Sequence, residues 1–356
     1  MRLAPVHSHA ASTKLVAFAT SFAGVCACVF TGMCTGSAAR AEVSAVTIKQ
    51  SVAGYQDNLG QSRGKAAFDV GGEVARVVNL KLSISRERVE DSQWRQNKYL
   101  QSTYGEGVRI NDSWTISGTK TFDKVTDTRV AAGATSDGIV ESRNLGAGMS
   151  RWFLHDTLQA GIDLSRIQVH RPEYEILDFD ATVLTAPPEV STSGATLSVR
   201  HLATPVTMTL WSATLNKASD RPLARFYQAG VRQYVPALGG AFHGTLYRGL
   251  NRGSLSTETM YGEVDSWSTD LAWVQEIGQA TQIRAGWRVY QERETGRAWG
   301  DVTQFGSDLL SLGVAHDLKP GMTGGKAVSV EAGLARYLTN NDLMATSANL
   351  GVSGRL

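Results

Sequence analysis

The side chains best suited to chemistry are charged residues set into alternating runs, not a catalytic cluster. Arg200, Arg232, Arg284 and Arg288 take polar positions of such runs, in the company of His243, Tyr234, Tyr247 and Tyr290. Asp69, Glu73, Asp163, Asp270 and Glu331, with Lys65 and Lys81, take polar positions of others. Guanidinium groups on one wall facing carboxylates on another would set up a transverse field that orients polar solutes and draws anions. The plainer alternative is a ladder of ion pairs that only fills and stiffens the wall.

Enzymatic chemistry has little support. Beyond residue 41 the histidines are His155, His170, His201, His243 and His316, and none sits in a nucleophile elbow or at metal-ligand spacing. Glu173, Glu175, Asp178 and Asp180 surround Tyr174 and Phe179, an acidic spacing that could hold a divalent cation. It lacks the glycine and terminal glutamate of an EF-hand, so a solvated loop is the better reading. Dinucleotide fingerprints and phosphate loops are absent as well. No catalytic residue, metal site or cofactor is expected.

The elements that position the charged residues follow a leader. Residues 1–41 read as a signal peptide: Arg2 and Lys14, an apolar core from Leu15 to Phe30, and small residues at Ala39 and Ala41 for cleavage. The core is short for a membrane-spanning helix, which needs about 20 residues. Val25-Cys26-Ala27-Cys28 faintly resembles a lipoprotein cleavage box. All 3 cysteines of the chain lie in this leader, so disulfide and thiolate-metal frameworks are not expected in the mature protein. Removing Arg2, Lys14 and Arg40 from 35 basic residues leaves 32 against 33 acidic ones, and a nucleic-acid partner loses its support.

Residues 42–356 show period-2 alternation instead of helical patterning. Leu158, Ala160, Ile162 and Leu164 alternate with Gln159, Gly161 and Asp163; Ile283, Ala285, Trp287 and Val289 alternate with Arg284, Gly286 and Arg288. Similar runs start at Val78 and Val328, each about ten residues long, as for a tilted strand crossing a bilayer. The connections alternate in length. Short turns fall near Ala75–Val77, Gly118–Lys120, Trp152–Asp156, Leu202–Pro205, Pro236–Gly240, Glu276–Gln279 and Asp317–Lys326. Eight longer or more polar loops lie between them, including Arg88–Gly105 and Gln168–Ser193.

Fifteen connections give sixteen strands, an even number that returns both termini to one side. The expected architecture is all-β, a single transmembrane antiparallel barrel, with fourteen strands as the alternative. The first, fourth and fifth strands are weak: Gln50 interrupts the first, Asp112 interrupts Val108, Ile110, Trp114 and Ile116, and Lys124 falls on an outward position of Thr121–Ala132. Trp152, Phe153, Trp267, Trp273 and Trp287 suit an interfacial aromatic belt. At the C-terminus Asn349, Gly351 and Leu356 partly fit the pattern read by outer-membrane assembly machinery, with Leu356 in place of the usual Phe.

Three segments carry a resemblance: Ser198–Leu210 (SVRHLATPVTMTL), Ala229–Gly249 (AGVRQYVPALGGAFHGTLYRG) and Gly286–Arg293 (GWRVYQER). They resemble an uncharacterised family of Gram-negative outer-membrane barrels, in which a His-Leu-x-x-Pro turn precedes Arg-Tyr-x-x-Pro and an Arg/Tyr-rich hairpin. The resemblance spans about a third of the chain. It implies a barrel in the outer membrane, with lipid and the assembly machinery as partners, and no activity to carry over.

Three functions follow in order. A porin-like channel for small polar or anionic solutes comes first, because sixteen strands enclose water whereas eight are filled by side chains. A structural or adhesive barrel acting through its outer loops is second, and a secreted soluble all-β protein third. Under the first, Arg200, Arg232, Arg284 and Arg288 are the lumen-facing basic candidates, and Asp163, Asp270 and Glu331 the acidic ones.

Overall fold

The computed structural model describes residues 43–355, apart from 60, 75–77, 92–107, 124, 138–139, 171–173, 178–182, 187–188, 220–222, 253–262, 296–301, 319–326 and 341. The leader with its cleavage site at Ala39 and Ala41, Lys124, and the terminal Leu356 lie outside the described residues.

Sixteen long strands close into one antiparallel barrel. The first seven are β1 (Val43–Asp57), β2 (Gln61–Val74), β3 (Val78–Asp91), β4 (Val108–Phe122), β5 (Thr126–Ser136), β6 (Glu141–Phe153) and β7 (Leu158–His170). A separate two-stranded sheet follows, β8 (Tyr174–Leu177) with β9 (Val183–Ala186), inside the connection read as one long loop. The wall resumes with β10 (Glu189–Thr204), β11 (Thr207–Ala218), β12 (Leu223–Val235), β13 (Gly240–Arg252) and β14 (Glu263–Ile277). It ends with β15 (Thr281–Thr295), β16 (Val302–Leu318), β17 (Ala327–Thr339) and β18 (Met344–Arg355). Closure pairs β1 with β18, from Thr47 opposite Arg355 to Asp57 opposite Ala345, and leaves the wall without an edge.

Because side chains alternate, the register joins outward residues to outward residues. Ile48, Val70, Leu82, Ile116 and Ala132 are successive cross-strand partners. Val199, Trp211, Ala229 and Leu246 form another such row. Among the described residues no large side chain is fully buried, while Leu145, Leu197, Trp211, Leu246 and Leu334 are each more than half exposed on the outer face. Soluble proteins rarely leave apolar patches beyond about 300–600 Å² uncovered, and this belt runs round the wall. Its solvent is lipid, and the soluble alternative loses its basis.

Two turns lie elsewhere than their glycine and proline signals suggest. Gly118–Lys120 is interior to β4, and the turn comes at 123–125, with Asp123 at φ 52°. Aspartate tolerates that left-handed conformation through local hydrogen bonding. Lys120 and Phe122 then extend the outer face to the strand end, the ammonium 4.4 Å from the ring centroid. β10 likewise continues through Thr204, leaving Pro205 and Val206 as its turn. Asp112 does not shift the register: it lies opposite Arg86, whose Nε and Nη2 donate to its carboxylate at 2.5 and 2.7 Å.

Candidate functional site in the barrel lumen

The inward rows are lined mainly by small or hydroxylated residues. Ser113, Thr115 and Ser117 of β4, Gly146, Gly148 and Ser150 of β6, and Gly194, Thr196 and Ser198 of β10 all face inward by register. Short side chains keep the wall thin, so the few long ones stand out into the lumen.

Each acidic candidate is neutralised on its own stretch of wall. Asp163 pairs with Arg129 at 2.5 Å. These two lie on β7 and β5, with Gly148 of β6 between them, and a Cβ on Gly148 would collide with the Asp163 carboxylate. Glu331 passes over Gly351 to reach Lys49 Nζ at 2.5 Å, where a Cβ on Gly351 would stand 2.6 Å from Glu331 Oε1. Asp270 faces Arg288 directly and accepts from both Nε and Nη2 at 2.5 Å. Asp69 pairs with Lys81 at 3.2 Å. The acids therefore do not stand as a free wall opposite the arginines, and Arg288 belongs with the paired groups.

Arg200, Arg232 and Arg284 behave differently. All three are exposed on inward rows, and among the described residues no carboxylate lies within ion-pair distance of any of them. They occupy three successive rows. The first runs Arg200, Leu210, Gly230, Thr245, Asp270, Arg288. The next holds Arg232 opposite His243, and the one beyond holds Arg284 opposite Val274. His243 lies within electrostatic reach of both Arg232 and Arg284, and its Nε2 is buried with no hydrogen-bond partner. Glu276 and Asp317 share this arc nearer the strand ends but form no ion pair with it among the described residues.

The remaining histidines are not gathered. His155 is in the turn after β6, and His316 faces outward, with Nδ1 2.8 Å from Thr281 Oγ1. No group of three or more metal-ligating side chains occurs among the described residues. Of the acidic loop, Glu173, Asp178 and Asp180 lie outside them. Lys49 and Arg129 escaped the sequence reading as partners; the signal that could have found them is a glycine opposite the acid, which lets a long side chain cross an intervening strand.

A closed sixteen-strand antiparallel wall, apolar outside and polar inside, with the start of β1 and the end of β18 at the end bearing the shorter turns, is an outer-membrane β-barrel. The comparisons agree on the fold. A bacterial polysaccharide outer membrane secretin is similar at 10% identity over 87% of this chain and 98% of its own, with TM-score 0.56. CdiB from Acinetobacter baumannii gives TM-score 0.52 at 13% identity, over 86% of this chain and 60% of its own. OccAB4 from Acinetobacter baumannii gives 0.50 at 7% identity, over 88% and 97%. No family model matches the sequence, and no curated protein does.

Proposed function

We propose that this barrel is a passive, porin-like channel for small polar solutes, with a modest preference for anions and no enzymatic activity. The observation that carries the reading is the contrast between Arg200, Arg232 and Arg284, exposed and without carboxylate partners among the described residues, and the locally paired acids. Uncompensated guanidinium groups in a lumen walled by low-dielectric protein and lipid raise the local anion concentration. The small inward side chains and the strand number support an aqueous lumen.

Reversal potentials in planar bilayers under a potassium chloride gradient test it. The wild-type chain should favour chloride, and Arg200→Ala, Arg232→Ala and Arg284→Ala together should bring the preference close to that of free solution. A conducting channel whose selectivity ignored all three substitutions would remove the arginines from function. Absence of current would favour the structural or adhesive alternative, for which the β8–β9 hairpin between β7 and β10 is the supporting feature.

A further inference from the structure

We propose that the half of the lumen away from Val43 and Arg355 carries a carbohydrate-binding track, built on six inward aromatic rings. They are Tyr55 on β1, Phe226 on β12, Tyr247 on β13, Tyr290 on β15, Phe305 on β16 and Tyr337 on β17. The proposal names a solute class for the same lumen and to that extent rests on the channel reading.

Rings are out of place on a wall lined mainly by small or hydroxylated residues, where polar side chains suffice to face water. These six are grouped, all toward the loop-bearing ends of strands that are neighbours around the barrel, with only β14 and β18 contributing none. Tyr247, Ser268, Tyr290 and Ser307 are successive partners in one row. The Tyr290 and Phe305 rings are 6.1 Å apart at 59°. Opposite Phe226 the wall has Gly249, where a Cβ would come within 3.1 Å of the ring; glycine makes room for it. Phe226 and Tyr247 nevertheless remain 40% and 37% exposed, so their apolar surface is not spent on packing within the wall.

The polar groups beside the rings define the ligand. One recess combines Phe226, Tyr247 and Tyr290 with the hydroxyls of Ser212, Ser266 and Ser268, and Arg288 stands at its edge, paired with Asp270. Two phenols are tied down at their oxygens: Tyr290 donates to Glu292, and Tyr247 accepts from Gln228 Nε2 at 3.4 Å. Arg288 is matched by Asp270, so no unpaired cation of the recess waits for an acid. An aromatic carboxylate would need such a cation, and an acyl chain would leave the hydroxyls without partners. A sugar ring satisfies both sets, its C–H face lying on an aromatic face and its hydroxyls exchanging hydrogen bonds with serines, carboxylate and guanidinium.

The test uses the full chain, refolded, with maltohexaose as an uncharged probe. Adding it to an open channel should interrupt the current in a concentration-dependent way. Tyr247→Ser with Tyr290→Ser should raise the half-blocking concentration at least tenfold. Folding of the variants is checked by heat-modifiable gel mobility, and Phe226→Ser alone serves if the double variant does not fold. Calorimetric titration in micelles reads binding without current. Sugar binding in a non-conducting barrel would sustain the track and reject the channel. Conduction with neither block nor binding heat would reject the track alone, as would block by benzoate but not by maltohexaose.

Discussion

An arginine on a lumen wall counts toward the field only if no carboxylate on the same wall cancels it. Arg288 is cancelled: Asp270 lies opposite it and takes two charge-assisted hydrogen bonds. Arg288→Ala would therefore act by unmasking Asp270, adding a negative charge more than subtracting a positive one. Anion preference should fall in Arg288→Ala and return close to wild type in the Arg288→Ala, Asp270→Ala double variant. Reversal potentials of the four proteins make the cycle; a double variant no better than the single would mean that Arg288 contributes on its own. The pair is half open to water, so its contribution to stability should be small, at most about 1 kcal/mol.

At the scale of strands and turns, four of the shorter connections, at 123–125, 154–157, 236–239 and 278–280, carry left-handed residues among those described. Gly278 has φ 64°, and a Cβ added to it would have nothing within 4 Å, so Gly278→Ala meets conformational strain and no collision. Its expected cost is about 1 kcal/mol, read from urea unfolding of the barrel in micelles. A loss several times larger would mean that the turn also makes packing contacts. The strands themselves were legible: alternation gives the faces of the runs, and the number of connections gives sixteen strands. Turn positions were less so. Gly118 signalled a turn although it sits within β4, because a barrel also uses glycine inside strands, where a neighbouring side chain needs the space. Local pairing was not legible either. Asp270 and Arg288 stand 18 positions apart and meet only because the turn at 278–280 sets Ile277 opposite Thr281. Alternation gives the face of a residue, while turn length decides its partner.

For the whole molecule, the consequence of local pairing is a field with few sources. The acids at 69, 163, 270 and 331 are matched by bases within a strand or two, so from the middle of the lumen each pair is a short dipole whose effect decays quickly. Arg200, Arg232 and Arg284 remain as positive monopoles, spread over six consecutive wall strands from β10 to β15, with Glu276 and Asp317 as negative ones nearer the strand ends. Monopoles reach across a lumen only as far as salt permits, about 10 Å at 0.1 M and about 3 Å at 1 M. Anion preference should accordingly be clear in dilute potassium chloride and nearly absent at molar concentration, with the triple arginine variant showing no such trend. Selectivity that persisted undiminished at molar salt would require close contact between the ion and a fixed site, and would move the mechanism from a diffuse field to direct coordination of the anion.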